Sequence, residues 1–146
     1  MAALSGSWIV WALLAALFAA LTAIFAKVGV ENVGSDFATF LRTVVVLAAL
    51  AAILTATQGW QSLRTISPKS AVFLVLSGLA TGASWVCYFR ALKLGDAARV
   101  APIDKLSVVL VAVFGVVLLG ERLSITNWAG IGLIGLGAYL VSRPIL

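Results

Sequence analysis

The sequence predicts an all-α membrane protein with five transmembrane helices. Three observations predict it. The apolar set makes up 63% of the chain and charged residues only 10%, whereas a soluble domain is about 25% charged. The apolar residues run continuously over long stretches, unlike the ~10-residue alternating segments of an outer-membrane barrel. Finally, 146 residues hold five spans of about 20 residues with roughly 46 left for turns and termini, and a sixth would leave almost nothing for loops. Residues 1–146 are therefore expected to form one transmembrane domain with no second, soluble domain. The same composition excludes a disordered chain, a collagen and a disulfide scaffold. Cys87 has no partner cysteine and reads as a small packed apolar residue.

Each helix has its own signals. The first 26 residues carry no charged side chain and Lys27 closes them. A signal peptide would show a basic n-region and an apolar run of only 7–15 residues, so residues 8–27 read as the first helix, with Trp8 and Trp11 at the interface. Gly34 and Ser35 break the pattern, and the second helix covers 36–57. The polar stretch 59–69 is the longest loop. The third helix covers 70–93, and Leu94-Gly95-Asp96 is a turn. The fourth covers 97–119 and contains Pro102, Asp104 and Lys105. After the turn at Gly120-Glu121-Arg122, the fifth covers 125–142. Its Ala129, Gly130, Gly132, Gly135, Gly137 and Ala138 are small residues of the kind that let helices approach closely in lipid.

Orientation follows the basic residues. With the N-terminus outside, Lys27, Arg42, Arg90, Lys93, Arg99 and Arg143 fall inside, and Arg64, Lys69 and Arg122 outside. Arg42, Arg90 and Arg99 are partly embedded, and without them the two sides are equal. The bias is weak enough to permit insertion both ways round.

Charged side chains inside spans are costly and mark functional candidates. Asp104 and Lys105 lie about 10 Å into the fourth helix. Pro102 removes a backbone donor just before them, and a broken helix beside charge is how transporters hold solutes. The alternative is a structural pair of Asp104 with Lys105, Arg42 or Arg99. On the third helix, Ser77, Thr81, Ser84, Trp85 and Tyr88 share one face about 100° wide. That face lines a cavity or forms an interhelical seam. Arg90 and Lys93 either snorkel to headgroups or serve that cavity. On the second helix, Asp36, Thr39 and Thr43 share a side with Arg42, which is positioned to clamp a carboxylate or phosphate or to form an ion pair. The candidate solute-binding residues are thus Arg42, Thr81, Trp85, Tyr88, Asp104 and Lys105.

The chain lacks other chemistry. It has no histidine, no CxxC and no GxxxxGK[ST] loop. A transition-metal site, a Ser–His dyad and ATP hydrolysis lack their residues. No enzyme activity, cofactor or metal is expected. The +5 net charge sits at helix ends and points to lipid contact, with no nucleic-acid partner.

Tyr88-Phe89-Arg90-Ala91-Leu92, Ala101-Pro102, Leu118 to Ser124 (LLGERLS) and Trp128-Ala129-Gly130, followed by a glycine-rich last helix, resemble the EamA-type domain of the drug/metabolite transporter superfamily. Asp36 to Arg42 looks like that domain's second helix. The stretch from Asp96 to Ser107 resembles the short single-domain bacterial and archaeal members. The resemblance implies a secondary transporter, often an exporter, of amino-acid-like solutes or other metabolites, multi-pass in the cell (inner) membrane. Most relatives carry two such domains in inverted orientation. One copy would be half of that inverted-repeat architecture, so a homodimer is expected, antiparallel or parallel, with Trp85, Tyr88, Asp104 and Lys105 on a shared cavity and the last helix as a packing surface. The alternative is a non-transporting membrane subunit or packing partner of another membrane protein. Small multidrug-resistance proteins are similar in size but use a carboxylate deep in their first helix, and residues 1–26 here have none.

Overall fold

The computed structural model describes residues 7–143, and every regular element among them is helical. In chain order these are α1 (Trp8–Gly29), α2 (Ser35–Ala56), a 3₁₀ turn (Leu63–Thr65), α3 (Pro68–Leu94), α4 (Ala97–Asp104), α5 (Ser107–Leu119) and α6 (Ile125–Ser142). With α4 and α5 taken together as Ala97–Leu119, five helices are long and apolar enough to cross a bilayer. At 1.5 Å per residue, the 18 residues of α6 span about 27 Å against a ~30 Å hydrocarbon core. The 27 residues of α3 span about 40 Å and must tilt or protrude.

Local chemistry sets the ends. The third helix begins two residues earlier than the apolar run suggests. Ser67 caps it, its hydroxyl accepting from the Ser70 amide at 3.1 Å, and Pro68 occupies the first helical position, where no backbone donor is needed. Ser124 caps α6 in the same way, accepting from the Asn127 amide at 3.2 Å. At the end of α2, Gln58 takes a left-handed conformation (φ 52°), which lets the Gly59 amide reach back to the Leu54 carbonyl at 2.8 Å. The end of α5 uses Gly120 at φ 70°, where a side chain would be strained. The amides of Gly120 and Glu121 both turn back onto the Gly115 carbonyl, and the Glu121 carboxylate lies against Gly115 itself.

The fourth expected helix is divided. Pro102 has no amide hydrogen to give the Ala98 carbonyl. From Leu106 the hydrogen bonds shorten: Leu106 donates to Ile103, Val108 to Lys105 and Val109 to Leu106, each at 3.0 Å. Lys105 and Leu106 keep right-handed backbone angles. The break is a tightened 3₁₀ turn between two helices and not an unwound segment.

The chain forms two compact units: Phe25–Leu94, and Met1–Ile24 with Gly95–Leu146. In the first, α2 and α3 form an antiparallel hairpin, with Ala26, Val30, Thr39, Phe89 and Leu92 buried. In the second, α6 packs on α4 and α5, with Ala23, Gly115 and Ala138 buried. Small residues dominate this second interior because helix association in lipid rests on close packing, since the tails are as apolar as leucine. Large apolar side chains such as Phe18, Leu47, Phe73 and Leu133 stay exposed, which suits lipid as solvent.

Candidate solute-binding groups

The polar side chains of the Phe25–Leu94 unit meet because α2 and α3 run antiparallel. Each step forward on α2 is matched by a step back on α3, so Asp36 meets Arg90 and Arg42 meets Trp85, and Val33, just before α2, meets Lys93. The Asp36 carboxylate accepts two hydrogen bonds from Arg90, from Nε at 2.9 Å and from Nη2 at 2.6 Å. This is the bidentate fork that guanidinium and carboxylate geometry favour. Lys93 Nζ donates to the Val33 carbonyl at 2.7 Å, and Lys27 Nζ to the Leu92 carbonyl at 2.8 Å. A cation on the last carbonyls of α3 suits the negative end of the helix dipole. Arg90 and Lys93, both exposed, thus each have an oxygen partner within the protein. The physical reason is helix register, which supplies both cations with oxygen acceptors at the same level.

Arg42 sits about 10 Å along α2. Its guanidinium carbon lies 3.4 Å from the centre of the Trp85 ring and 6.0 Å from that of Phe89. The shorter distance puts the guanidinium carbon in van der Waals contact with the face of the indole. Trp85 is itself held edge-on by Tyr88, with centroids 5.5 Å apart and planes at 81°, and by buried Phe89 at 5.9 Å and 61°. Such aromatic pairs contribute about 0.5–1.5 kcal/mol beyond area burial. Arg42, Trp85 and Tyr88 are half-buried. Thr81 is one turn before Trp85 on the same face, exposed, and its hydroxyl donates to the Ser77 carbonyl at 2.8 Å. Thr39 and Thr43 likewise donate to their own helix, at the Ser35 and Thr39 carbonyls.

Asp104 and Lys105 lie in the other unit, at the α4–α5 break. They pair with each other at 3.3 Å, Asp104 with 36% and Lys105 with 54% of its side chain exposed. Within this unit the ion-pair partner of Asp104 is Lys105. Arg99 reaches the carbonyls of Ser142 and Arg143, at 3.2 and 3.3 Å, and completes the end of α6. No cluster of three or more His, Cys, Asp or Glu able to hold a metal occurs among the described residues.

Three participants escaped the sequence reading. The Asp36–Arg90 fork was legible in principle, since opposite charges at the start of one helix and the end of the next must meet when the two form a hairpin. Phe89 looked like one more apolar residue. Glu121 folding onto Gly115 had no signal beyond the Gly-Glu-Arg turn.

The model of the EamA-like transporter family matches residues 6–143. A protein from a Sinorhizobium species, described as an uncharacterized transporter in the cobO 3' region, is 62% identical over 139 residues, which cover 95% of this chain and 99% of that protein. No solved structure matches the chain.

Proposed function

Because the chain belongs to the EamA-like transporter family, we propose that this multi-pass membrane transporter is a secondary exporter of small metabolites or amino-acid-like solutes, working as a dimer in the cell (inner) membrane. The observation that carries this reading is the α4–α5 break. A bilayer-length span is interrupted by Pro102 and a 3₁₀ turn beside Asp104 and Lys105. Ionisable residues at such depth mark solute or proton paths, and interrupted helices supply the binding elements of secondary transporters. The chain has no phosphate-binding loop, so the energy for transport comes from a solute or ion gradient. Arg42, Thr81, Trp85 and Tyr88 form one candidate solute group and Asp104 with Lys105 a second.

A second copy completes the inverted-repeat arrangement that such transporters use. The row Gly130 and Gly137 on α6 supports this: a Cβ at either position meets nothing within 4 Å, which leaves backbone open to a close-packing neighbour. We favour antiparallel copies. The same open row suits the alternative, a non-transporting subunit that packs against another membrane protein.

The test is uptake of a metabolite panel by vesicles holding the purified protein, with and without a proton gradient. Saturable uptake lost in Asp104→Asn, with the variant still folded, supports the transporter reading and a role for the break. No uptake of any solute, together with tight capture of a second membrane protein, selects the alternative.

A further inference from the structure

Within the Phe25–Leu94 unit, no described oxygen accepts from the Arg42 guanidinium; its contacts there are the Trp85 and Phe89 rings. The carboxylate that α2 itself offers, Asp36, is bound through both oxygens by Arg90. A guanidinium is always charged and carries five N–H donors in its own plane. The indole face beneath the guanidinium carbon offers those donors no oxygen. A cation held inside a membrane span with its donors unmatched is costly. Within this unit the guanidinium is therefore open to an incoming oxyanion.

The neighbouring cations decide how much negative charge fits. Lys27 and Lys93 are turned onto the Leu92 and Val33 carbonyls and Arg90 is committed to Asp36. Arg42 is the cation left to balance an incoming anion, so a monoanion is matched and a phosphate dianion is not. The planar fork prefers a planar partner with two oxygens. The indole platform is fixed by Tyr88 and Phe89, which adds apolar surface for the body of a solute. From this we propose that Arg42, held over the Trp85 ring, receives a single carboxylate of the transported solute, so that this protein carries carboxylate-bearing organic solutes. The proposal rests on the transporter reading and names its substrate class.

A lipid phosphodiester is also a monoanionic oxyanion, and the experiment separates the two sources. Trp8, Trp11, Trp60 and Trp128, all exposed, are replaced by Phe in the full chain, leaving Trp85 as the only indole. Its fluorescence is titrated with 3-phenylpropionate and with 3-phenylpropionamide, first in neutral detergent, then in phosphatidylcholine vesicles with and without phosphatidylglycerol. The expected result is a saturable change with the acid and none with the amide, in every medium. Arg42→Gln should weaken it about 10- to 100-fold, since a hydrogen bond to a charged group is lost. Arg42→Lys, which keeps the charge without the fork, should fall between and serves as the comparison if Arg42→Gln does not fold. An equal response to the amide overturns the proposal. So does a response to phosphatidylglycerol alone, which assigns Arg42 to a headgroup, and so does full affinity in a folded Arg42→Gln or Arg42→Lys protein. Vesicle uptake separates the two readings. Uptake of uncharged or cationic solutes that survives Arg42→Gln, without carboxylate uptake, ends this inference and leaves the transporter standing. Saturable acid binding with no uptake of any solute does the reverse.

Discussion

The stacking of Arg42 on Trp85 should be measurable as a coupling energy in the protein without solute. At 3.4 Å from the ring centre, the guanidinium is well within the ~6 Å range of a cation–π contact. Such contacts are worth about 0.5–1 kcal/mol when exposed and about 2 kcal/mol or more when desolvated. Arg42 and Trp85 are both half-buried, so the expected coupling is about 1–2 kcal/mol. Phe89 sits at the limit of the range, 6.0 Å away, and its coupling to Arg42 should fall below about 0.5 kcal/mol. The measurement is a pair of double-mutant cycles, Arg42→Met with Trp85→Leu and Arg42→Met with Phe89→Leu. Unfolding is followed by circular dichroism as SDS is added to mixed micelles. The single substitutions also change packing, and the cycle subtracts that part. If the Arg42–Trp85 cycle is additive within about 0.3 kcal/mol, or if Phe89 couples as strongly as Trp85, the stack does not stabilise the hairpin and the geometry given to Arg42 is wrong.

Other substitutions test other parts. Gly120→Ala should lower stability by about 1 kcal/mol, because φ is 70° there and an L-residue is disfavoured in that region by about 1–2 kcal/mol; since nothing lies within 4 Å of the new Cβ, Gly120→Asn should cost less in the same unfolding assay, and equal costs would contradict a purely backbone origin. Gly135→Phe should damage folding, because a Cβ there already touches Val109 Cγ2 at 3.6 Å. Gly137→Phe, on the open row, should leave the protomer folded and weaken the dimer by size-exclusion chromatography; an unchanged dimer removes this part of α6 from the interface. A reporter fused at the chain's end should read as mainly cytoplasmic, with the ratio shifting when one or two lysines are added to or removed from the loops; an orientation indifferent to loop charge would exclude dual insertion.

What the sequence revealed and what it concealed divide along a physical line. Crossing a bilayer is a one-dimensional requirement, so continuous apolar length was enough to place the five spans. The end of a span is decided by backbone chemistry, which is why Pro68 opens α3 where a composition-based reading began at Ser70. Pro102 announced a break by its missing donor, but the compact 3₁₀ form that follows depends on how Leu106, Val108 and Val109 find nearer carbonyls. Pairing between helices is another matter. Arg42, Trp85 and Tyr88 each stood out as polar or aromatic groups within apolar runs, yet nothing in either run states that Arg42 meets Trp85. That depends on the register of α2 against α3, which the Asp36–Arg90 pair marks. In water an apolar stripe would have declared the contact face, but in lipid both faces are apolar and the stripe disappears. The glycines of α6 show the same loss, since Gly135 faces Val109 while Gly137 faces open space, and their spacing in the sequence does not tell them apart. For a helical membrane protein the informative residues for packing are therefore the few polar ones. Here those on α2 and α3 mark the register through Asp36 and Arg90, and in doing so they leave Arg42 over Trp85 with no described oxygen acceptor inside the hairpin.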